Sequence, residues 1–163
     1  MTTAHDFSFT ALDGAALPLS RFKGKAVLVV NTASECGYTP QYAGLQKLWR
    51  AGRDRGLVVL GVPSNDFGAQ EPGDEAAIGT FCSARYAVDF PMTAKQAVIG
   101  GKAHPFYRWI AGELGEAGQP RWNFHKYLIG RDGALAGAFP SSVAPESQEL
   151  TAAIEEALAG PIA

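Results

Sequence analysis

The sequence predicts an α/β fold with a mixed central sheet flanked by helices, preceded by an N-terminal β-hairpin. Three observations carry this. Two apolar, largely β-branched runs, residues 26–30 (AVLVV) and 57–62 (LVVLGV), read as strands buried on both faces. Between them Tyr42, Leu45, Leu48 and Trp49 recur at helical spacing, so strand, helix and strand make a right-handed crossover joining a parallel pair. Towards the C-terminus two short runs, residues 127–129 and 135–139, meet across Arg131-Asp132-Gly133 as a hairpin.

In chain order, residues 7–11 alternate, Asp13-Gly14 makes a turn, and Leu17, Leu19 and Phe22 complete the N-terminal hairpin. Thr39-Pro40 is the expected start of the first helix, a hydroxyl cap followed by proline at the first helical position, and the helix runs to Gly52. Residues 64–73 (SNDFGAQEPG) form a loop at the end of the second buried strand. A helix is expected over 74–86, with Asp74 and Glu75 at its positive end. A short extended segment begins at Phe90, a short helix covers 105–110 after His104, and 112–120 is loop. Pro145 opens the last helix, in which Leu150, Ala153, Ile154, Ala157 and Leu158 form one core-facing stripe. The order ββ, βαβα, α, ββα is that of a thioredoxin-like fold. Ligands in such sheets bind beyond the carboxyl ends of the strands. Cys36 falls just past residues 26–30, and Ser64 to Gln70 just past 57–62, so these two loops are expected to be neighbours.

The 163 residues suit a single domain over 1–163, and 47% hydrophobic with 18% charged residues describes a folded globular chain. Sixteen acidic against fourteen basic residues, without a basic cluster, argue against nucleic acid and anionic membrane surfaces. Absence of a long apolar run, and of a charged-then-apolar leader, makes the cytoplasm the expected location. His5, His104 and His125 are scattered without metal-ligand spacing, so no metal is expected.

Two cysteines are too few for a disulfide scaffold. Most isolated cysteines are small buried hydrophobes. Cys36, however, stands where a strand gives way to a helix, after the polar residues Asn31, Thr32, Ser34 and Glu35. Free N–H groups and the positive end of a helix dipole favour the thiolate, the nucleophilic form. Glu35 would oppose ionisation if it pointed inward.

Six segments then resemble the glutathione peroxidase family: NTASECGYTPQYAGL, LGVPSNDFGAQEPG, FCSARYAVDFPM, HPFYRWI, RWNFHKYLIGRDG and SSVAPES. They occur in order and span nearly the whole chain. The resemblance implies a thioredoxin-like fold, with Cys36 as peroxidatic cysteine and Gln70, Trp122 and Asn123 as its partners. Alone, Gln70 would be an ordinary loop residue, Trp122 core and Asn123 a turn. Together they offer neutral hydrogen-bond donors that stabilise a thiolate and orient a peroxide. In the thioredoxin-dependent, two-cysteine branch of the family the resolving cysteine falls at the FC position, here Cys82. The resemblance thus implies a Cys36–Cys82 disulfide formed from a Cys36 sulfenic acid and reduced by a thioredoxin-like protein rather than glutathione, with no bound cofactor. A disulfide needs Cα atoms within about 7 Å, so a helical Cys82 remote from Cys36 requires local unwinding, which Gly73 and Gly79 are expected to ease.

The chain departs from many relatives at Ser64, where they carry cysteine, and at Asp66, where glutamine is common and no catalytic role is expected. It lacks the long insertion before RWNF that tetrameric relatives use for assembly, which points to a monomer with an exposed site open to bulky organic and lipid hydroperoxides. The nucleophile is cysteine, not the selenocysteine of some relatives. A peroxide sensor that passes its disulfide to a client protein fits the same two cysteines, and a peroxidase reduced directly by glutathione is the other alternative. A thiol–disulfide oxidoreductase fits poorly, because Cys36-Gly37-Tyr38-Thr39 lacks the second cysteine of a C-x-x-C motif.

Overall fold

Residues 1–162 are described by the computed structural model. Its centre is a four-stranded mixed sheet in the order β4-β3-β5-β6, with β3 (Ala26–Thr32), β4 (Leu57–Pro63), β5 (Lys126–Ile129) and β6 (Leu135–Phe139). β3 is central. It pairs in parallel with β4, Ala26 opposite Leu57 through Thr32 opposite Pro63, and antiparallel with β5. Every residue of β3, β4 and β5 is buried, which is why these strands read as unbroken apolar runs rather than as alternation.

Successive β3 residues feed opposite cores. Val27 and Val29 pack with Phe106, Tyr107 and Ile110 of α3 (Pro105–Leu114) and with the N-terminal segment. Ala26, Leu28 and Val30 pack with Tyr42 and Leu45 of α1 (Gln41–Gly52), Ile78 and Cys82 of α2 (Glu75–Tyr86), and Leu150 and Ile154 of α4 (Gln148–Leu158). Helices therefore cover both faces. The N-terminal hairpin, β1 (Ser8–Thr10) and β2 (Ala16–Pro18), is a separate two-stranded sheet. Its turn is set by the Asp13 carboxylate, which accepts the Ala15 N–H at 2.9 Å.

Several boundaries differ from the sequence reading. Helix α1 begins at Gln41, not at Pro40. Helix α3 continues through Leu114, and Glu116–Gly118 adds a 3-10 turn inside the expected 112–120 loop. Helix α4 starts after Ser147, whose hydroxyl accepts the Leu150 N–H at 3.3 Å, so Pro145 lies outside it. Asp74 caps α2 by accepting the Ala77 N–H at 2.9 Å. Gly73 therefore precedes the helix and does nothing to weaken it, while Gly79 lies within.

Candidate active site

The site hangs from the carboxyl edge of β3 and β4. Cys36 lies in the turn that follows β3 and is 8% exposed. Thr39 folds back over this turn: its hydroxyl accepts the Cys36 N–H at 2.9 Å and donates to the Ala33 carbonyl at 2.8 Å. The hydroxyl expected to cap α1 thus fixes the nucleophile's own turn, and the helix starts one residue later than expected, with no side-chain cap. The donor aimed at the sulfur is the Tyr38 N–H, 3.3 Å from Sγ. A backbone amide in a turn stabilises an anion as a helix N-terminus does. Glu35 is exposed, so its carboxylate is solvated.

The two loops are neighbours. The Glu35 N–H donates to the Gln70 carbonyl at 3.0 Å, and the Ser64 N–H to that of Thr32 at 3.0 Å. The second loop passes through two left-handed residues, Gly68 at φ +68° and Ala69 at φ +51°. A Cβ at Gly68 would stand 3.0 Å from the Trp122 ring, so glycine there admits the indole. Trp122 is 37% exposed at the rim, its ring 5.9 Å from that of Phe67. Asn123 is wholly buried, and its Nδ2 donates to Gln70 Oε1 at 2.9 Å and to the Phe67 carbonyl at 3.4 Å. Gln70, Trp122 and Asn123 are therefore gathered into one cluster, tied to Cys36 through the Glu35 backbone.

Asn31, in the sequence only one of the polar residues before Cys36, frames this cluster. Its Nδ2 donates to the Trp122 carbonyl at 2.9 Å, and its own carbonyl accepts the Phe124 N–H at 2.6 Å. The available signal was a polar residue closing an apolar strand. Asp66 is structural: Oδ2 accepts the Val98 and Ile99 N–H groups at 2.7 and 3.2 Å.

Cys82 lies inside α2, as expected, and is 2% exposed. It shares the hydrophobic cluster of Cys36 on one face of the sheet, and both are free thiols. Burial pushes the Cys82 thiol up from 9.0 to about 11; the Tyr42 hydroxyl offsets part of this and the Glu71 carboxylate adds to it. Between the Cys36 turn and α2 is a cavity of about 290 Å³, lined by Ser34, Glu35, Glu71, Ala77, Ile78 and Phe81 among others. Glu71 is 1% exposed, and burial holds its carboxyl above the usual range despite Ser34 and Lys95.

Among the described residues no group of three or more His, Cys, Asp or Glu side chains is arranged to hold a metal ion. No described helix is long and apolar enough to cross a membrane.

A family model described as "Glutathione peroxidase" matches residues 4–111, which include Cys36, Gln70 and Cys82. The chain is 44% identical over 164 aligned positions to "Hydroperoxy fatty acid reductase gpx1" of Synechocystis sp., with 96% of each chain covered. It is 43% identical over 151 positions to "Glutathione peroxidase-like peroxiredoxin gpx1" of Schizosaccharomyces pombe, covering 91% of this chain and 96% of the relative. The solved structure "Crystal structure of Trgpx in apo form" superposes with a TM-score of 0.79 at 38% identity, covering 98% and 97%. A thioredoxin-family thiol:disulfide interchange protein from Chlorobium tepidum, at 21% identity and TM-score 0.65 over 96% of both chains, shares the fold alone.

Proposed function

Because this chain belongs to the glutathione peroxidase family, we propose that it is a thiol peroxidase in which Cys36 reduces a hydroperoxide and Cys82 resolves the product. The observation that carries the reading is the Gln70–Asn123 hydrogen bond beside the Cys36 turn, with the Trp122 indole at its rim. Cys36 thiolate attacks one peroxide oxygen; an S–O bond forms as the O–O bond breaks. The departing oxygen takes a proton and leaves as water or an alcohol, and Cys36 becomes a sulfenic acid. Gln70, Trp122 and Asn123 act through neutral donors, so no metal or bound cofactor is required.

Cys82 then attacks the Cys36 sulfur and water leaves, giving the disulfide. In α2 its thiol stays protonated at neutral pH, so resolution follows local opening of the helix, which exposes Cys82 and restores an ordinary thiol. A thioredoxin-like dithiol reduces the disulfide in preference to glutathione. The substrates are hydrogen peroxide and organic or lipid hydroperoxides, in keeping with the hydroperoxy fatty acid reductase among the relatives. A partly exposed Trp122 leaves the rim open to bulky chains. The protein acts as a monomer in the reducing cytoplasm.

The test is hydroperoxide-dependent NADPH oxidation coupled through thioredoxin reductase and thioredoxin, with Cys36→Ser as the blank. Sustained turnover is expected, and peroxide-treated protein should yield a Cys36–Cys82 linked peptide. A single oxidation with stalled recycling favours the peroxide-sensor reading; a persistent Cys36 sulfenic acid or glutathione adduct without the link rejects the two-cysteine route.

A further inference from the structure

Beneath the site lies a cation that the chemistry above does not use. Lys126, the first residue of β5, is 0% exposed. Among the described residues no carboxylate is within ion-pair distance of it. Its Nζ donates instead to the Phe124 carbonyl at 2.7 Å and reaches the Ser141 carbonyl at 3.5 Å. Burial lowers its pKa from 10.5 to about 7. An unpaired buried ammonium is destabilising, because no counter-charge offsets the water it loses. For packing alone, a methionine of similar volume would be better.

Both carbonyls belong to the frame of the site. Phe124 follows Asn123 and adopts φ +66°, a left-handed conformation that is strained for a residue with a Cβ. Its ring is fully buried, edge-on to Tyr42 at 5.3 Å. The Ser141 hydroxyl donates to the Asn123 carbonyl at 2.6 Å, and the Ser141 carbonyl also accepts from Nε2 of Gln41, the first residue of α1, at 2.8 Å. One polar network therefore runs from the start of α1 through Ser141 and Lys126 to the Phe124 turn.

We propose that Lys126 is a positioning residue for the peroxidatic step: it clasps the Phe124 and Ser141 carbonyls and so fixes the left-handed turn that sets Trp122 and Asn123 in place beside Cys36. The inference rests on the reading of Cys36 as the peroxide-attacking nucleophile. A donor is needed at the buried Phe124 carbonyl, and the same ammonium reaches the Ser141 carbonyl that Gln41 already holds.

The test separates two steps in stopped-flow and quenched mass spectrometry: oxidation of Cys36 by hydrogen peroxide, and closure of the Cys36–Cys82 disulfide. Lys126→Met is expected to lower the second-order oxidation constant by roughly tenfold to a hundredfold, the scale of a lost alignment, while closure keeps its wild-type rate. Lys126→Gln, which keeps an N–H donor for one of the two carbonyls, should lower the same constant by about two- to tenfold, as for one lost hydrogen bond. A folded Lys126→Met variant that oxidises at the wild-type rate, or loses both steps in proportion, overturns the proposal. If that variant does not fold, a wild-type oxidation rate in Lys126→Gln overturns it. Wild-type protein whose Cys36 does not react with peroxide removes the peroxidase reading and the inference with it.

Discussion

Asn123 Nδ2 lies 2.9 Å from Gln70 Oε1, and this bond commits the carbonyl end of the Gln70 amide, leaving Nε2 as the end able to donate. The two side chains therefore act as a unit. Replacing either with alanine is expected to slow Cys36 oxidation by about a hundredfold, the usual cost of one preorganised donor. The double variant should be little worse than either single one, because each already breaks the same arrangement. Stopped-flow oxidation of the three variants measures this; additive losses would mean that the amides work independently.

Cys82 should be chemically silent in the folded, reduced protein. At pH 8, iodoacetamide is expected to modify Cys36 and spare Cys82 until denaturant is added, because thiolate is the reactive form. The same burial gives an alkaline limb. The folded thiol titrates at about 11 against 9.0 ordinarily, so the unfolded chain loses its proton first as pH rises. Its stabilising contribution is complete below pH 9 and is lost as pH climbs towards 11. Thermal melts of wild type and Cys82→Ser across that window should differ in slope; parallel curves would contradict the assignment. In Cys82→Ser, peroxide should still oxidise Cys36 once, while thioredoxin-driven turnover is lost.

The ends of α2 allow opposite tests of the unwinding step. Asp74→Ala removes the N-cap, at a cost of about 1 kcal/mol, and should lower Tm while speeding disulfide closure. Ala87, the C-cap, is left-handed at φ +51°, where glycine is preferred. Ala87→Gly should raise Tm and slow closure, by up to about fivefold for 1 kcal/mol. Quenched-flow detection of the linked peptide reports both. If closure moves in the same direction in both variants, helix opening does not control it.

His125 supplies an acid limb. It is 7% exposed, 4.9 Å from the Tyr127 ring, and neither ring nitrogen has a partner among the described residues. Burial, helped by Lys126 and Arg121, pulls its pKa from 6.5 down to about 4. The unfolded chain therefore takes up the proton first on acidification. Stability is present above pH 6.5 and is lost as pH falls through 4. His125→Phe should flatten Tm against pH in that range, and an unchanged slope would reject histidine as the cause.

What could be read from the sequence followed periodicity and motif. Residues 26–30 and 57–62 announced buried strands because both of their faces are covered, and Asp13-Gly14 and Arg131-Asp132-Gly133 announced turns through their own backbone chemistry. Helix starts were less legible. Thr39 has the form of a cap, but in three dimensions its hydroxyl is taken by Cys36 and Ala33. Pro145 has the form of a first helical residue, yet Ser147 is the cap. Buried charge was invisible: nothing in the spacing of Glu71 or Lys126 separates them from solvated residues, since their burial is decided by loops and strands distant in sequence. Resemblance drew Gln70, Trp122 and Asn123 together, whereas Asn31 and Ser141, which hold the latter two by their backbone carbonyls, became visible only through the fold.

On the proposed two-cysteine route, the enclosure of Cys82 within α2 also acts as a clock. While the helix stays closed, a sulfenic acid on Cys36 waits, open to a second peroxide that would carry it irreversibly to sulfinic acid. The lifetime of the closed helix therefore sets the peroxide dose at which the protein stops recycling and begins to destroy itself. A more stable α2 would lower that ceiling, and a looser one would raise it.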